Sequence, residues 1–466
     1  MRLATPEKQP VGLQMPPHVE HLRHRRCLSG MPLPVDRDRV PEVHRVVGTF
    51  GLVRVLNSEM ANELRCCIAG GGPAGMMLGF LLARAGVNVV VLEKHKDFLR
   101  DFRGDTIHPS TLQAIYELGL LERFLLRPHQ ELRQVSAQIG DFEVTVADFS
   151  HLPVQSRFVA LMPQWDFLNF IAEEAKRYPG FRLELETEVI GLIEENQRVT
   201  GVRVRTPDGE RSINADLVVG ADGRHSTVRA QAGLEVVNRG APIDVLWMRI
   251  SREPADPERA LGRVRNGRIL VTIDRNEYWQ CAYIIPKGGF DEIKRNGIDN
   301  FRRDLAEVAP FLQKRTQELK SWDDFKLLTV TVDHLRRWWK PGLLCIGDSA
   351  HAMSPVGGVG INLAIQDAIA AANILAVPLR SGPLPERLLR RVQKRRTFPT
   401  RMTQRLQVIA HKRVIYPALS RPAPVTRLPW PLRLLALFPA LRRIPARVIG
   451  MGFRPEHVHS PELKQR

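Results

Sequence analysis

The sequence has few cysteines, and their spacing excludes two common ways of stabilising a fold. Five occur in 466 residues, and none forms a C-x-x-C pair (Cys27, Cys66, Cys67, Cys281 and Cys345). Neither a disulfide framework nor a zinc site follows from this distribution. We therefore expect reduced, mostly buried thiols, no metal site and a cytoplasmic location.

Long apolar runs are missing as well. No uninterrupted run of 18 apolar residues is available to cross a bilayer, and the N-terminal residues lack the apolar core of a secretory signal. The hydrophobic fraction of 44% and the charged fraction of 25% are those of a globular protein. A length of 466 residues indicates two or three domains.

Acidic residues are scarce at one end of the chain. The formal net charge is +18, and residues 380–466 hold twenty Lys and Arg against three Asp and Glu. No nucleic-acid recognition motif accompanies this basic region, so we expect no nucleic-acid partner. The region is either a solvated helical surface or a peripheral contact for anionic membranes. Its four prolines between positions 429 and 445 exclude a long helix there.

A glycine-rich turn follows the first predicted strand. Residues 65–69 form a short apolar run, residues 70–75 read GGGPAG, and residues 76–84 are compatible with a helix. In a G-x-G-x-x-G pattern the glycines permit a tight turn, close approach of a pyrophosphate, and close packing of helix on strand. Glu93 ends the next strand, where a carboxylate accepts hydrogen bonds from a ribose. The segment predicts a Rossmann-like βαβ unit that binds a dinucleotide.

Two distant segments carry further information about the dinucleotide. Residues 216–229 read DLVVGADGRHSTVR and follow a predicted hairpin, 199–205 with 211–219. Residues 347–362 read GDSAHAMSPVGGVGIN and place three glycines just before a helix. Glycines there let a flat ring meet the backbone. The N-terminus of the helix is positive and suits the negative edge of a reduced flavin.

Taken together, the three segments resemble the aromatic-hydroxylase class of flavoprotein monooxygenases, typified by p-hydroxybenzoate hydroxylase. The resemblance covers about residues 64–380, with the motifs in the same order and at similar spacings. It implies FAD as the bound cofactor, with Asp348 on a ribityl hydroxyl, Glu93 on the adenosine ribose and Arg103 at the flavin nucleotide. The implied FAD-binding residues are Gly70, Gly72, Pro73, Ala74, Gly75, Glu93, Lys94, Arg103, Gln164, Asp222, Asp348, Pro355, Gly358, Gly360, Ile361 and Asn362.

The resemblance also implies a reaction. NADPH or NADH would reduce FAD as a transient reductant, O₂ would form a flavin C4a-hydroperoxide, and one oxygen atom would hydroxylate or epoxidise an aromatic or other hydrophobic small molecule. No second G-x-G-x-x-G motif is apparent, so we expect the nicotinamide nucleotide to bind without its own Rossmann domain. The identity of the substrate and the oligomeric state stay open.

The same reading divides the chain into four parts. Residues 1–60 lack periodicity and are expected to be a disordered extension. An α/β, Rossmann-like FAD-binding domain is expected to be discontinuous, over residues 61–235 and 326–380. A β-rich substrate domain, residues 236–325, would be inserted into it, because this segment contains several β-branched runs. Residues 381–466 would form the basic helical C-terminal part.

Catalytic residues are weakly indicated. His351 follows the Asp348 motif and is a candidate proton donor, although it could equally brace the loop. Pro355 resembles a residue that lies beside the flavin in the family. Tyr283 is a third candidate: it follows Tyr278 and Trp279 on a predicted strand, and these side chains would line the substrate site or pack in a core.

Three alternative interpretations remain at this point. A reductase of the geranylgeranyl-reductase type would share the FAD motifs without inserting oxygen. A membrane-associated flavoprotein with little turnover would account for the basic region. A flavin-dependent halogenase is disfavoured, because residues 281–286 read CAYIIP and lack the tryptophans of the W-x-W-x-I-P pattern.

Overall fold

The computed structural model describes residues 63–99, 106–257, 261–420 and 425–463. The expected N-terminal extension, residues 1–60, and the candidate FAD ligand Arg103 lie outside the described residues. Strands and helices alternate in the first part of the described chain, and strands dominate its middle.

Twenty-one strands are defined in the described part of the chain. In chain order they are β1 (Cys66–Ala69), β2 (Val89–Leu92), β3 (Thr106–Ile107), β4 (Gln130–Leu132), β5 (Gln134–Ile139), β6 (Phe142–Asp148), β7 (Val159–Leu161), β8 (Phe181–Glu184), β9 (Glu188–Glu195), β10 (Arg198–Thr206), β11 (Gly209–Asn214), β12 (Leu217–Gly220), β13 (Val236–Asn238), β14 (Ile243–Ser251), β15 (Leu261–Arg265), β16 (Arg268–Asp274), β17 (Tyr278–Pro286), β18 (Lys326–Leu328), β19 (Asp333–Leu335), β20 (Trp339–Lys340) and β21 (Leu343–Cys345).

Twelve α-helices are defined in the same residues. They are α1 (Pro73–Arg84), α2 (Pro109–Glu117), α3 (Leu121–Leu125), α4 (Gln164–Ala175), α5 (Thr227–Gln231), α6 (Phe290–Arg295), α7 (Ile298–Val308), α8 (Gly360–Leu379), α9 (Glu386–Ala410), α10 (Tyr416–Ser420), α11 (Trp430–Leu437) and α12 (Arg443–Gly450). Shorter 3₁₀ and π-helical turns connect several of them.

Six strands form the first large sheet, in the spatial order β20-β21-β12-β1-β2-β8. The strands from β21 to β8 are parallel to their neighbours, and the edge strand β20 is antiparallel. β1, β2 and β12 are four-residue runs with every side chain buried. Continuous apolar runs are typical of parallel strands that are covered on both faces. The predicted Rossmann-like unit is therefore confirmed as β1-α1-β2.

α8 is the central helix of this part. The segment Val356–Leu379 is long and apolar enough to cross a membrane by length and composition alone. However, 72% of its most apolar stretch is buried inside the protein, where α8 packs against α1. A helix that is apolar all round and buried in this way belongs to the core of a large protein.

The predicted hairpin before Asp222 is present. β10 and β11 pair antiparallel from Gly201↔Asn214 to Thr206↔Gly209. β12 then leaves the hairpin and enters the parallel sheet, where Leu217 pairs with Cys66. The two strands therefore belong to a separate three-stranded sheet with β9.

A second large sheet has seven strands in the order β18-β14-β17-β16-β15-β5-β6. It is antiparallel except for the β15–β5 pair, and α7 covers one face through Phe301 and Leu305. β5 and β6 belong to this sheet, although the expected boundaries left residues 134–148 in the FAD-binding domain. The sequence does not reveal this, because β5 reaches β15 by pairing across more than 120 residues.

The basic C-terminal region is helical and packs onto the rest of the chain. α9 continues through a π-helical turn, His411–Ile415, into α10. The last described residues then return to α1, where Arg84 Nη1 donates to the Ser460 carbonyl oxygen at 3.0 Å and Leu463 N donates to the Arg84 carbonyl oxygen at 2.9 Å. The C-terminal segment therefore closes over the FAD-binding part.

One buried ion pair stabilises the helix-covered face of the seven-stranded sheet. Arg315 donates through both terminal nitrogens to the Asp256 carboxylate at 2.5 and 2.6 Å, and Trp279 Nε1 donates to Asp256 Oδ2 at 2.7 Å. Burial alone would raise the pKa of Asp256, but the hydrogen bonds from Arg315, Glu253 N and Trp279 hold it at about 2. The carboxylate is thus stabilised in its charged form.

We expect Asp256→Asn to lower the free energy of unfolding by about 3 kcal/mol at neutral pH, because Arg315 loses its buried partner. A depressed pKa in the folded state contributes stability above the unfolded value near 4 and loses it as the pH falls through about 2. Urea unfolding should therefore show the difference between wild type and variant narrowing as the pH is lowered from 6 to 3. Glu253→Gln, at an exposed carboxylate 3.7 Å from Arg315 Nε, is the control and should change little. A difference that is independent of pH would contradict this account.

Candidate functional site

Four parallel strands bring the sequence motifs to one edge of the six-stranded sheet. β1 runs into the glycine turn, β2 into Glu93, β12 into Asp222, and β21 into the 347–349 turn. Their register is aligned, since Ala69 pairs with both Leu92 and Gly220. Ligands of open α/β sheets bind at the carboxyl ends of the strands. Motifs that are about 280 residues apart in sequence therefore meet here.

The glycine turn is tightly constrained. Gly70 has φ +107°, and a Cβ there would lie 2.4 Å from the Ala221 carbonyl oxygen. A Cβ on Gly75 would lie 2.0 Å from the Gly70 carbonyl oxygen. Gly72 instead faces open space, and α1 begins at Pro73 with no side chain capping its N-terminus. The free amides of the first turn, beginning with Ala74, could hold a pyrophosphate.

Glu93 lies directly beside this turn. Its Oε2 accepts a hydrogen bond from Gly71 N at 3.1 Å, and its Oε1 accepts one from His95 N at 3.1 Å. These bonds orient the carboxylate at the end of β2, where the sequence predicts a contact with a ribose. Lys94, the next residue, is exposed.

Asp222 joins the glycine turn to the neighbouring helix. Its backbone nitrogen lies 2.8 Å from where a Gly70 Cβ would be, and its Oδ2 accepts a hydrogen bond from Val228 N at 3.1 Å in α5. Burial raises the pKa of Asp222, although hydrogen bonds from Ser226 and backbone amides oppose the shift. The side chain therefore caps a helix while its main chain lines the turn.

The 347–349 turn is hydrogen-bonded to the end of β12, the strand that leads into Asp222. Ser349 Oγ donates to the Gly220 carbonyl oxygen at 2.6 Å, which ties the end of β21 to the end of β12. Gly347 has φ +61° and its N donates to Asp367 Oδ2 at 3.0 Å. Asp348 lies between them and is half-buried. Its position at the strand ends suits a contact with a cofactor hydroxyl.

His351 is part of a buried ionic cluster that involves α8 and α9. Its Nε2 lies 2.5 Å from Asp367 Oδ2, and Arg396 Nε donates to Asp367 Oδ1 at 2.8 Å. His351, Asp367 and Arg396 are all at most 1% exposed. Such a histidine braces the loop that carries Asp348 and is shielded from solvent, which favours the structural alternative over the proton-donor hypothesis.

The charge on Asp367 is balanced from both sides. Burial raises the pKa of this carboxyl, but the charge and hydrogen bonds of His351 and Arg396 outweigh it and lower the pKa below its usual range. Arg396 also donates through Nη1 to Glu456 Oε1 at 3.2 Å, and Arg395 holds the same carboxylate at 2.8 and 3.0 Å. The C-terminal segment is thereby linked to the 347–351 turn.

The residues from Ser354 to Gly360, which we call the glycine loop, precede α8. Gly357 and Gly358 have φ +82° and +63°, values that L side chains rarely adopt. Gly358 N donates to the Pro355 carbonyl oxygen at 2.9 Å, and no side chain caps the N-terminus of α8. The loop thus presents backbone and free helix amides. The buried Ile361 follows in the first turn of α8.

The side-chain amide of Asn362 makes hydrogen bonds only within the protein. Its Nδ2 donates to the carbonyl oxygens of Thr106 and Gly358 at 3.0 and 3.3 Å. Its Oδ1 accepts from His108 N at 2.8 Å and from Thr111 Oγ1 at 2.7 Å. All hydrogen-bonding capacity of the amide is used within the protein. Only the main chain of Asn362 could therefore contact a flavin.

Gln164 begins α4, which follows β7. β7 pairs with β3 through Thr106↔Leu161, and Thr106 Oγ1 donates to the Gly358 carbonyl oxygen at 3.0 Å. The segment before Gln164 is therefore connected to the glycine loop through β3. Gln164 itself is half-buried.

The main feature that the sequence motifs did not reveal is the attachment of the glycine loop to α9. Gln407 accepts from Ser354 N at 3.2 Å and donates to the carbonyl oxygens of Ser354 and Val356 at 2.9 and 3.0 Å. His411 Nε2 lies 2.8 Å from Ser354 Oγ, and burial lowers the pKa of this imidazole. The sequence shows uncharged polar residues such as Gln407 on a basic helix, but it does not show that they contact the glycine loop.

Two of the three aromatic candidates on β17, Trp279 and Tyr283, face away from the glycine loop. Trp279 and Tyr283 are buried beneath α7, where Tyr283 packs edge-on against Phe301 with ring centroids 5.0 Å apart. Burial raises the pKa of Tyr283. Tyr283 is therefore a core residue, and Tyr278 is on the opposite face, where Arg249 stacks on it at 4.8 Å.

The opposite face of the seven-stranded sheet meets the glycine loop. Buried Ala282 and Ile284 share an apolar cluster with half-buried Val271, and Val356 of the glycine loop packs against the same cluster. The short helix α10 contributes Leu419 to its rim. Val271, Ala282 and Ile284 therefore form an apolar wall beside the glycine loop. On β17 these side chains lie on the face opposite to Trp279 and Tyr283, because successive side chains of a strand point to opposite faces.

These residues fit FAD. The glycine turn leaves open space at Gly72 next to free amides, an oriented carboxylate stands beside it, and the glycine loop exposes backbone before an uncapped helix. A dinucleotide cradle joined to a loop of this kind is found in FAD-dependent oxidoreductases, and the fold and the site place the chain in that class.

Comparison with known proteins identifies the family. The chain belongs to the FAD binding domain family, whose model matches residues 63–406. 6-Methylpretetramide 4-monooxygenase from Streptomyces rimosus is 32% identical over 388 residues, which are 82% of this chain and 91% of that protein. The expected membership of the aromatic-hydroxylase type of flavoprotein monooxygenases is confirmed, and these findings support the monooxygenase interpretation rather than the reductase alternative.

Solved structures share the fold. p-Nitrophenol 4-monooxygenase from Pseudomonas putida superposes with a TM-score of 0.65 at 19% identity, over 83% of this chain and 95% of that one. PqsL from Pseudomonas aeruginosa, in complex with 2-aminobenzoylacetate, gives 0.66 at 23% identity, over 77% and 99%. At these identities the likeness shows the fold alone.

We expect Gln407→Met to weaken FAD binding about tenfold, a change of about 1.4 kcal/mol, because the glycine loop loses three hydrogen bonds. The measurement is the dissociation constant of FAD from apoprotein, followed by flavin fluorescence. Arg405→Met, at an exposed position two residues earlier on α9, is the matched control and should bind FAD normally. Lower thermal stability with unchanged FAD affinity would show that Gln407 supports only the fold.

Proposed function

We propose that this protein is an FAD-dependent monooxygenase that hydroxylates an aromatic or other hydrophobic small molecule, with O₂ as co-substrate and NADPH or NADH as reductant. The observation that carries the proposal is the convergence of the glycine turn, Glu93 and the glycine loop at one sheet edge, next to an apolar wall. The family match over residues 63–406 supports it.

FAD would be held by the residues around the sheet edge. The free amides of α1 and the turn at Gly72 would bind the pyrophosphate, Glu93 the ribose, and Asp348 a ribityl hydroxyl. The backbone from Pro355 to Gly360 and the positive N-terminus of α8 would bind the ring, where they favour negative charge on its pyrimidine edge. When bound at these residues, FAD would supply the redox chemistry: acceptance of a hydride from NAD(P)H and activation of O₂.

The apolar wall is the proposed substrate surface. Val271, Ala282 and Val356 belong to one apolar cluster beside the glycine loop, so a flat hydrophobic ring bound against them would be held by burial of its area. The same side chains would exclude water, which favours oxygen transfer over release of peroxide. The buried free thiols and the requirement for NAD(P)H support a cytoplasmic location.

The first test is the consumption of NAD(P)H and O₂ by the purified yellow protein across a panel of phenols, aromatic acids and polyketides. We expect at least one compound to stimulate both, with incorporation of one atom from ¹⁸O₂ and little peroxide. Anaerobic reduction of the organic compound would establish a reductase. A protein that binds no flavin would refute the proposal.

The substrate surface has its own test. Val271→Phe would fill part of the space beside Val356, and we expect KM for the stimulating compound to rise about tenfold while FAD affinity stays unchanged. Leu327→Phe, at an exposed edge position of the same sheet, is the control. Normal KM in Val271→Phe would exclude this face as the substrate surface.

A further inference from the structure

The C-terminal region carries an exposed apolar surface after α10. It comprises α11, the 3₁₀ turn Pro439–Arg442 and the start of α12, and we call it the α11–α12 surface. The exposed fractions of its large apolar side chains are high: Trp430 72%, Leu437 69%, Ile444 63%, Phe438 55% and Leu434 38%. None of the α11 residues is buried. Patches of contiguous apolar side chains at this density mark interaction sites.

The surface is held rigidly rather than frayed. α12 is fixed to the body of the protein on its other side, where Ala446 is fully buried and the Ile449 carbonyl oxygen lies 2.8 Å from His108 Nδ1. Arg442 Nε donates to the Leu435 carbonyl oxygen at 2.9 Å and so connects the turn to α11. The apolar side chains are therefore presented by an ordered scaffold.

The charged residues on the α11–α12 segment itself are all positive. Arg427, Arg433, Arg443 and Arg447 are exposed on the same segment. In addition, no Asp or Glu occurs in the sequence between Glu386 and Glu456. A partner for this surface must offer an apolar layer for the exposed hydrophobic side chains and negative charge for the arginines.

A second copy of the chain does not meet this requirement. In a two-fold interface the same patch faces itself, so the arginines of one copy would approach those of the other. An anionic bilayer does meet it, because its headgroup region offers negative charge above an apolar layer. Tryptophan is enriched at that depth. α11 has eight residues, too few to span a bilayer, but it can lie in the plane of the interface.

We propose that the α11–α12 surface binds the headgroup region of anionic membranes and makes the protein a peripheral membrane protein. Trp430, Leu437, Phe438 and Ile444 enter the interface, while Arg433 and Arg443 contact lipid phosphates. This proposal does not depend on the substrate or on the reaction, since it rests on exposure and charge outside the FAD site.

The test is sedimentation of the FAD-loaded full chain with vesicles of phosphatidylcholine alone and of phosphatidylcholine mixed with phosphatidylglycerol. We expect binding to the mixed vesicles at low salt, weaker binding at high salt, and little binding to the neutral ones. Leu437→Ser combined with Phe438→Ser should abolish binding. Arg433→Glu and Arg443→Glu should each weaken it at least about fivefold.

Matched controls separate this effect from general surface changes. Leu126→Ser removes an apolar side chain that is 84% exposed, and Arg295→Glu reverses an exposed charge in α6, so both should bind like wild type. FAD content and thermal stability of the α11–α12 variants should be unchanged, which excludes misfolding. Absence of binding to anionic vesicles at low salt overturns the proposal. A concentration-dependent dimer that dissociates in the Leu437/Phe438 variant would overturn it as well, because the surface would then be a subunit interface.

Discussion

The aligned carboxyl ends of four adjacent parallel strands are the constraint on which the rest of this structure depends. β21, β12, β1 and β2 are short, buried on both faces and paired in parallel, so each loop that follows them emerges at the same edge. A shift of one residue in this register would move each side chain to the opposite covered face and displace the motifs relative to one another. Packing of apolar strands thus determines where polar chemistry occurs, and it does so before any motif residue contacts a ligand.

A buried ionic cluster then fixes the loops at that edge. Asp367 receives hydrogen bonds from Gly347 N and Arg396 and contacts His351, at positions that water does not reach. An isolated charge buried there would be strongly destabilising, whereas a paired and hydrogen-bonded one specifies a single arrangement of the groups around it. The cluster therefore connects the turn at Asp348 with α8, α9 and Glu456. The same ionic cluster therefore stabilises the C-terminal region and fixes the position of the Asp348 turn.

Local patterns in the sequence were sufficient to predict the βαβ unit, the hairpin before β12 and the three FAD motifs, because each depends on neighbouring residues. They were insufficient where the outcome depends on long-range pairing. Tyr283 and Ala282 are adjacent in sequence and lie on opposite faces of β17, and only the pairing of the sheet with α7 decides which face is covered. The same holds for His351, whose proximity to Asp367 and Arg396 could not be inferred from its place in the motif. The pairing of β5 with β15 is long-range in the same way, and domain boundaries drawn from the sequence do not contain it.

The basic C-terminal region has an inward side, which contacts the rest of the protein, and an outward side, which is exposed, and the two differ in charge. Its inward side is polar and uncharged where Gln407 donates to carbonyl oxygens of the glycine loop and Gln404 donates to the Ala352 carbonyl oxygen just before it. An arginine would bind these carbonyls at a higher desolvation cost. The buried guanidinium of Arg396 is paired with carboxylates, since it donates hydrogen bonds to Asp367 and Glu456. Arg427, Arg433, Arg443 and Arg447 are exposed on the same segment as the apolar side chains of α11, and this segment is therefore both basic and apolar. Residues 380–466, with twenty Lys and Arg against three Asp and Glu, account for nearly all of the net charge of +18.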